Sequence, residues 1–406
     1  MTKVVLVRYG EVAVKGPSTR SRMERLLVRA IEESLGADGL KAEVRRESGR
    51  IIVRLGQDSS WSDAEKAARA SARVFGVKSA SPALEIEYVG LEDLAQKAAK
   101  FFLARVRGRV FRVRARRSGV EPFTSKDVEK VLGKLLLESG ASGVDLESPE
   151  YTANVEVRGR RAYLFDEVVE GPGGLPVGSE EPVLVLYSGG FDSSVAAWRV
   201  MRRGAPIHLV YYDLGHRGAL RTAVMGAKVL ADNWAWGHRP RLYVVNFRGP
   251  ALVVNGLVRP SYRTIVLRRL MLLHAQELAL REGMEALATG ESIGQVASQT
   301  VRNLRLISSG LELPVLRPLA GHDKDEIVRE SMRIGVYDIV KTQVEICGVD
   351  QPPNPRASIE GFKSEFEKVK EVFVPPPLVF DLKGVKLEDI LKKLGLTTSG
   401  MSAKEV

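Results

Sequence analysis

The feature that most constrains the fold is a glycine-rich turn between an apolar run and a segment that favours a helix. The run Val183–Tyr187 is typical of a buried strand, and SGGFDSS follows at once at residues 188–194. The two glycines permit a tight turn, after which a helix is predicted to begin at Asp192 or Ser193. Unpaired N–H groups at its start, together with the helix dipole, favour an anion. The sequence therefore predicts an anion site here, with an ordinary capped turn as the alternative.

The same turn resembles a known nucleotide-binding motif. Neither a GxxxxGK[ST] loop nor a GxGxxG pattern occurs at this strand. SGGxDS after a buried strand instead resembles the signature of the PP-loop ATP pyrophosphatases, which cleave ATP between its α- and β-phosphates and form an adenylated substrate. The ATP-binding residues implied by this resemblance are Tyr187, Ser188, Gly189, Gly190, Phe191, Asp192, Ser193 and Ser194.

Length and composition predict a folded protein of more than one domain. The chain has 406 residues, of which 44% are hydrophobic and 27% are charged. It lacks a long uncharged apolar run and a secretory start, so we expect a cytoplasmic location without a membrane partner. Cys347 is the only cysteine, and the five histidines have no metal-ligand spacing, so no protein-built metal site is predicted.

The charge distribution indicates a polyanionic partner. The net charge is +11, and the segment from Lys100 to Arg117 contains seven arginines and no acidic residue. Within its predicted strand, Val110–Ala115, arginines alternate with apolar residues, so one face packs and the other presents cations. The alternatives are an Arg- and Glu-rich surface of the thermophile type and packing against acidic helices. The predicted RNA-binding residues are Arg105, Arg107, Arg112, Arg114, Arg116, Arg117 and Lys126.

The chain divides into blocks of different secondary-structure pattern. Strands and helices mix up to residue 79, which predicts an α+β unit resembling a ferredoxin-like fold, and a second α+β block covers 80–170. Glycine and proline at 171–180 predict a linker. From 181 to 406, strands and helices alternate, which predicts a doubly wound parallel sheet with a ligand crevice at the carboxyl ends of its strands. The fold class is therefore a multidomain combination of α/β and α+β units.

Three further segments carry candidate chemistry. Residues 288–300 form a second strand, glycine turn and polar helix start, expected in the same crevice, with a capped connection as the alternative. Lys324 follows the predicted helix cap Asp323, where its charge opposes the helix dipole. It either reaches an ATP phosphate or pairs with Asp325 or Glu326. Cys347 is either a small buried hydrophobe or a nucleophile.

Taken together, these motifs resemble the tRNA 4-thiouridine synthetase family over nearly the whole chain. The matching segments are RYGEVAVKG at 8–16, the 188–194 turn, 289–300 and 317–327. The resemblance implies a ferredoxin-like N-terminal domain, a THUMP RNA-binding domain at 80–170 and a PP-loop catalytic domain. It also implies that ATP, with Mg²⁺, adenylates O4 of uridine 8 in tRNA and that sulfur then replaces the adenylate. It further implies ATP-binding roles for Thr289, Gly290, Glu291, Gln295, Gln299 and Arg268.

The resemblance also assigns catalytic roles and leaves the sulfur source open. Asp192 is implied in ATP- or magnesium-dependent activation, Lys324 corresponds to the essential lysine of the family, and Cys347 to the cysteine that transfers sulfur. A C-terminal rhodanese domain is expected to be absent, and the segment 262–269 lacks the cysteines that support an iron–sulfur cluster in some members. We therefore expect an external donor, either sulfide or a persulfide-carrying protein. Dimers are common in the family, so a homodimer is a further expectation.

The resulting hypothesis is an ATP-dependent tRNA sulfurtransferase that makes 4-thiouridine. One alternative is a PP-loop enzyme that adenylates another acceptor, for which Cys347 would be dispensable. Another is a non-catalytic tRNA-binding protein with a vestigial nucleotide pocket, for which Asp192 and Lys324 would be dispensable. A role in thiazole synthesis is not inferred, because it depends on the rhodanese part in the family.

Overall fold

The chain forms two compact units. The computed structural model describes residues 2–47, 49–341 and 356–396, and Cys347 lies outside them. One unit comprises Met1–Pro176 and the other Val177–Val406. Within the described ranges, no helix is both long and apolar enough to cross a bilayer.

The described part of the first unit contains a nine-stranded sheet and four α-helices. The strands are β1 (Thr2–Tyr9), β2 (Ala42–Glu47), β3 (Arg50–Leu55), β4 (Val77–Glu87), β5 (Val110–Ser118), β6 (Gly143–Val144), β7 (Tyr151–Arg158), β8 (Arg161–Phe165) and β9 (Val169–Glu170). The helices are α1 (Pro17–Ala37), α2 (Trp61–Ala72), α3 (Leu91–Val106) and α4 (Ser125–Glu138).

This sheet is continuous across the predicted boundary at residue 79. Its order is β2-β3-β1-β4-β8-β7-β5-β6, with β9 also paired to β4. β4 runs antiparallel to both β1 and β8, so one strand of 11 residues belongs to both predicted blocks. Leu6 of β1 and Tyr163 of β8 are fully buried in a shared apolar cluster. Hydrogen bonding and packing therefore join the two blocks into one unit.

The second half of this unit presents the predicted basic strand. β5 pairs parallel with β7, and its Phe111, Val113 and Ala115 are buried against α3 and α4. Arg114 and Arg116 are exposed, which confirms the predicted alternation. Thr124 caps α4 by accepting a hydrogen bond from the N–H of Asp127, which fixes where the helix begins after the basic strand.

The described part of the second unit contains a six-stranded sheet and nine α-helices. The strands are β10 (Val183–Leu186), β11 (Ile207–Asp213), β12 (Arg241–Asn246), β13 (Ala286–Ala288), β14 (Val315–Leu316) and β15 (Leu378–Asp381). The helices are α5 (Phe191–Arg202), α6 (Arg217–Trp234), α7 (Arg248–Leu257), α8 (Arg263–Arg281), α9 (Val301–Ser308), α10 (Lys324–Ile334), α11 (Tyr337–Val340), α12 (Ile359–Glu367) and α13 (Leu387–Lys393).

The strand order of the second sheet identifies its ligand edge. The order is β14-β13-β10-β11-β12-β15, in which all pairs are parallel except β12 with β15. The predicted parallel sheet therefore carries one antiparallel edge strand. From β10 the chain adds β11 and β12 on one side and later β13 and β14 on the other. This reversal creates a crevice at the carboxyl ends of β10 and β13, the position at which such sheets bind ligands.

The predicted linker, 171–180, makes main-chain hydrogen bonds at both ends. The N–H groups of Gly171 and Gly173 donate to the carbonyls of Lys78 and Val77 in β4. At the other end, the N–H groups of Gly178 and Glu180 donate to the carbonyl of Gly204, after α5. The division between the two compact units falls between Pro176 and Val177, within this segment. The start of the segment thus belongs to the first unit, and its end belongs to the second.

Candidate functional site

The turn between β10 and α5 has the predicted phosphate-binding geometry. Gly189 has a positive φ of 80°, and Gly190 is the N-cap of α5, so the helix begins at Phe191 rather than at Asp192 or Ser193. No side chain of the described residues caps this helix through a hydrogen bond. The hydroxyl of Ser193 instead turns back to the carbonyl of Gly190 at 3.2 Å. The first N–H groups of α5 therefore remain available for an anion at the crevice.

Close packing explains why this turn needs a glycine at 189. A Cβ built on Gly189 would lie 2.5 Å from the Cα of Ala223 in α6. Tyr187, just before the turn, is buried, and its hydroxyl lies 3.1 Å from the Oγ of Ser194. Burial raises the pKa of Tyr187, so its phenol stays neutral. Its side chain supports the turn from the core, and only its main chain lies at the ligand edge.

The second predicted loop touches the first. Gly290, after β13, packs so closely against the start of α5 that an added Cβ would lie 2.6 Å from the carbonyl carbon of Asp192. Gln295 of the same loop donates from Nε2 to Oδ2 of Asp192 at 3.2 Å. Gln299 is buried, and its Oε1 has no hydrogen-bond partner among the described residues. Oε1 of Gln295 likewise has no hydrogen-bond partner among the described residues, so the loop contains two unsatisfied acceptors beside the start of α5.

We expect Gly290→Ala to disrupt this contact. Its methyl group would meet main-chain atoms of Asp192 and Ser193, which cannot move without shifting the start of α5. The expected cost is about 1–3 kcal/mol in unfolding free energy and a marked loss of ATP affinity, measured by thermal unfolding and nucleotide titration. Gly321→Ala is the control, because no described atom lies within 4 Å of its added Cβ. Equal ATP affinity in the two variants would contradict the packing argument.

Lys324 lies at the start of α10 and reaches the first loop. Its Nζ donates to Oδ1 of Asp192 at 3.0 Å and to Oδ2 at 3.2 Å. The same Nζ lies 5.7 Å from the ring centre of Phe191. Asp323 caps α10 and forms a capping box with Glu326, as the sequence indicates. Lys324 thus forms an ion pair with Asp192, whereas the sequence left a pairing with Asp325 or Glu326 open as the alternative to a phosphate contact.

Polar contacts hold α10 in this position. Arg199 of α5 donates from Nε to Glu330 of α10 at 2.6 Å, and its Nη1 lies 2.6 Å from Nε2 of His322. Ser292 donates from Oγ to the carbonyl of His322 at 2.7 Å. The turn after β10, the loop after β13 and the start of α10 are thus tied together. The sequence predicts only that His322 is a packing or surface residue. It does not predict the contacts by which His322 connects Arg199 and Ser292.

Glu291 acts inside the loop rather than at its surface. It is 7% exposed, and its carboxylate accepts hydrogen bonds from Arg268 Nη1 at 3.0 Å, Arg317 Nε at 2.8 Å and Thr289 Oγ1 at 2.9 Å. These donors occupy both carboxylate oxygens, so the geometry gives Glu291 the role of holding the two arginines. Arg268 remains partly exposed, with a side-chain accessibility of 30%.

Removing this buried acceptor should destabilise the loop. Glu291→Ala would leave the guanidinium groups of Arg268 and Arg317 without their shared carboxylate. We expect a loss of about 3–5 kcal/mol in unfolding free energy, measured by denaturant titration. Glu285→Ala serves as the control, because Glu285 is exposed just before β13. Equal stability of both variants would show that Glu291 does not hold the loop.

Sequence reasoning missed another charged pair at this edge. Asp213, the last residue of β11, is 7% exposed and accepts from Nη2 of Arg248 at 2.8 Å and from the N–H of Gly215 at 2.8 Å. Its position at the carboxyl end of a strand beside β10 was the available signal. Within the described ranges, no three His, Cys, Asp or Glu side chains are grouped to hold a metal.

The predicted RNA-binding residues differ in their surroundings. Arg105 pairs with Asp166 at 3.0 Å and stacks on Phe101 at 4.1 Å, so its charge is largely compensated within the unit. Arg112 donates to Thr152 and to the carbonyl of Leu146, and Arg117 pairs with Glu121 at 3.3 Å. The exposed members of the predicted set are Arg107, Arg114, Arg116, Arg117 and Lys126.

Comparison with known proteins extends over all of these regions. A family model described as thiamine biosynthesis protein (ThiI) matches residues 178–371. Models of the ThiI ferredoxin-like domain and the THUMP domain match residues 4–81 and 88–167. Each of the three matches is to a separate region of the chain.

Similar proteins cover nearly the same length. The chain is 76% identical over 393 residues to a probable tRNA sulfurtransferase of Aeropyrum pernix, covering 97% of this chain and 98% of that protein. It is 42% identical over 347 residues to a tRNA sulfurtransferase of Pyrobaculum aerophilum, covering 86% and 70%. The crystal structure of a 4-thiouridine synthetase–RNA complex with bound ATP is 31% identical, with a TM-score of 0.76, and covers 96% of this chain and 97% of that chain.

Proposed function

Because the chain belongs to the ThiI family of tRNA sulfurtransferases, we propose that it uses ATP to convert uridine 8 of tRNA to 4-thiouridine. The observation that carries this proposal is the meeting of three segments at the strand-order reversal beside β10. They are the 188–190 turn, the 289–300 loop and Lys324. This arrangement supplies main-chain N–H groups and one cation for the phosphates of ATP.

In the first step, O4 of the uracil attacks the α-phosphorus of ATP. The bond from the α-phosphorus to the bridging oxygen breaks, and pyrophosphate leaves with the electron pair. Lys324 is suited to oppose the charge that develops, because its Nζ lies beside the start of α5. Its ion pair with Asp192 orients the ammonium group before the phosphates are present.

Magnesium fits this site as a companion of ATP. Asp192 offers one carboxylate at the crevice, and the described residues form no larger ligand cluster. Mg²⁺ commonly takes one or two protein carboxylates together with substrate phosphates, which matches this donor set. When bound, it would neutralise phosphate charge, and Asp192 is the residue that would hold it.

The second step requires sulfur at C4 of the adenylated uridine. We propose that Cys347 carries it as a persulfide received from an external donor. The terminal sulfur attacks C4, and AMP leaves. An external thiolate then attacks Sγ of Cys347 and forms a disulfide, while the bond between Sγ and the transferred sulfur breaks and leaves 4-thiouridine. A reducing thiol must afterwards regenerate Cys347, since the chain has no second cysteine.

Several finer assignments belong to the same proposal. The first is the division into a ferredoxin-like domain (1–79), a THUMP domain (80–170), a linker (171–180) and a catalytic domain (181–406). The second is a cytoplasmic location, and the third is a homodimer. The ferredoxin-like and THUMP regions support the RNA-binding role, since family models match both. Light scattering of the purified protein tests the dimer.

The direct test of the proposed function is thiolation in vitro. Purified protein, ATP, unmodified tRNA and a persulfide donor should produce the absorbance of 4-thiouridine. Sulfide is tested as a second donor, which can react only by attacking the adenylated C4 directly, because it cannot form a persulfide on Cys347 without an oxidant. Digestion and mass spectrometry should locate the sulfur at uridine 8. AMP formation without thiolation in the presence of both kinds of donor would contradict the proposal and indicate another acceptor.

A further inference from the structure

Three arginines of the first unit surround one buried carboxylate. Nε of Arg50 lies 2.9 Å and Nε of Arg158 lies 2.8 Å from Oε1 of Glu156, and Nε of Arg8 lies 3.5 Å from Oε2. The exposed fraction of the side chain is 20% for Arg50, 14% for Arg158 and 11% for Arg8, and it is 3% for Glu156. We call these four residues the arginine cluster. They come from β1, β3 and β7, so both halves of the continuous sheet contribute.

Charge is not balanced within the arginine cluster. Three guanidinium groups share a single carboxylate, and Arg116 adds a further positive charge that both Arg8 and Arg50 experience. Burial lowers the pKa of Arg8 to about 10, with Glu156 opposing the shift, and burial also lowers the pKa of Arg50. Arg8 and Arg50 both remain cations at neutral pH. Nη2 of Arg8 is buried and has no hydrogen-bond partner among the described residues.

A neighbouring cluster on the same sheet shows balanced charge. Arg54, four residues after Arg50 on β3, pairs with Glu85 at 2.7 Å and with Glu47 at 3.0 Å. Arg161 approaches both acids, at 3.5 Å and 3.6 Å, so two arginines meet two carboxylates. Burial lowers the pKa of Arg54, but hydrogen bonds to Glu85 and Glu47 outweigh it and raise the pKa overall. This cluster therefore has as many carboxylates as arginines, unlike the arginine cluster.

A cavity opens beside the unbalanced cluster. Its volume is about 410 Å³, and Arg50, Arg116, Arg117, Arg158, Ser118 and Glu156 line it. Ser125, the first residue of α4, also lines it, so a helix begins at its wall. Guanidinium forks and hydroxyl groups are the donors that proteins use for phosphate. An anion in this cavity would offset the positive charge that Glu156 leaves uncompensated.

We propose that the arginine cluster and its cavity bind a backbone phosphate of the RNA substrate, with Glu156 holding the guanidinium groups in place. The proposal rests on the proposed tRNA-modifying function and adds Arg50 and Arg158, which line the cavity, to the exposed arginines of β5. Guanidinium recognition of phosphate is shared by RNA and by free inorganic phosphate, and the experiment separates these sources. The site lies wholly within the first unit, so its test does not depend on the chemistry of the second.

The test compares Arg50→Gln and Arg158→Gln with Arg54→Gln in the full-length protein. Binding of unmodified tRNA is titrated at several KCl concentrations. We expect each cluster variant to weaken binding about tenfold at 0.1 M salt and to reduce the slope of log affinity against log salt by about 1. Arg54→Gln should keep the parental slope and affinity. Arg50→Lys should keep the slope, because the positive charge remains. It should lose part of the tRNA affinity, because lysine lacks the planar guanidinium group.

Folding of each variant is checked by thermal unfolding, and ATP affinity, which belongs to the second unit, should be unchanged in every variant. Parental tRNA affinity and slope in Arg50→Gln and Arg158→Gln would overturn the proposal. Equal weakening by Arg54→Gln would also overturn it, since loss of stability would then be the cause.

A second arm distinguishes the source of the phosphate. With the second unit saturated by ATP, inorganic phosphate at constant ionic strength should compete with tRNA for the parent and less for Arg50→Gln. A free-anion site would give a different pair of results. Inorganic phosphate would raise the unfolding temperature of the parent but not of Arg50→Gln, and the substitution would leave tRNA affinity unchanged. That result would overturn the RNA assignment while leaving the thiolation assay as an independent test of the proposed function.

Discussion

Lys324→Ala should lower the rate of tRNA-dependent AMP formation by about 10²–10³-fold. Nζ of Lys324 is held 3.0 Å from Asp192 at the start of α5, where the phosphates of ATP are proposed to lie. Its loss removes the cation that opposes charge on the departing pyrophosphate, and this charge is greatest in the transition state. We therefore expect the effect mainly in kcat, with a smaller change in the KM for ATP. Single-turnover formation of AMP from labelled ATP measures it.

The matched control is Arg329→Ala, which removes an exposed cation from the same helix. Since the cap of α10 is formed by Asp323 and Glu326, neither substitution removes it. Arg329→Ala should keep parental kcat. A Lys324→Ala enzyme that forms AMP at the parental rate would show that the ion pair with Asp192 serves only to hold α10.

Cys347→Ser should abolish thiolation while pyrophosphate formation continues. If Cys347 carries sulfur, its loss blocks the second step but leaves adenylation of the uracil intact, so pyrophosphate release and thiolation become uncoupled. The assay measures pyrophosphate and 4-thiouridine in the same reaction, with a persulfide-carrying protein as donor. Since Cys347 is the only cysteine, trapping of persulfide on the parent should give one modified peptide and on the variant none.

The comparison with Lys324→Ala makes this result specific. That variant should lose both pyrophosphate and 4-thiouridine, whereas Cys347→Ser should lose only 4-thiouridine. Undiminished thiolation by Cys347→Ser with the persulfide donor would contradict the assigned sulfur carrier. Loss of both products would mean that Cys347 is needed for the first step instead.

Local sequence patterns predicted most regular elements of the described chain. The sequence pattern predicts strands at Arg50–Leu55 and Arg241–Asn246, and β3 and β12 have these bounds. The pattern also predicts a helix from Arg22 to Leu35, but α1 begins earlier, at Pro17, because proline at the first helical position is compatible with the missing hydrogen bond there. Helix α7 was not predicted, since Gly249, Pro250 and Gly256 are residues that normally argue against a helix.

Features that depend on contacts between residues far apart in the chain could not be predicted from local sequence patterns. The antiparallel edge strand β15 has four residues and pairs with β12 far earlier in the chain. Lys324 was expected near the phosphates, but its partner Asp192 lies 132 positions away. The predicted ferredoxin-like, THUMP and PP-loop composition is confirmed by the family matches and the structural similarity. The arginine cluster, in contrast, depends on the register of three strands and has no local signal.

The central claim is that the crevice beside β10 transfers AMP from ATP to uridine 8 of tRNA. The most direct measurement is the rate of pyrophosphate formation with two transcripts that differ only in uridine or cytidine at position 8, without a sulfur donor. The uridine transcript should stimulate pyrophosphate release and, with ATP labelled at the α-phosphate, acquire label, whereas the cytidine transcript should do neither. Equal pyrophosphate release with both transcripts, with no label on the RNA, would contradict the account.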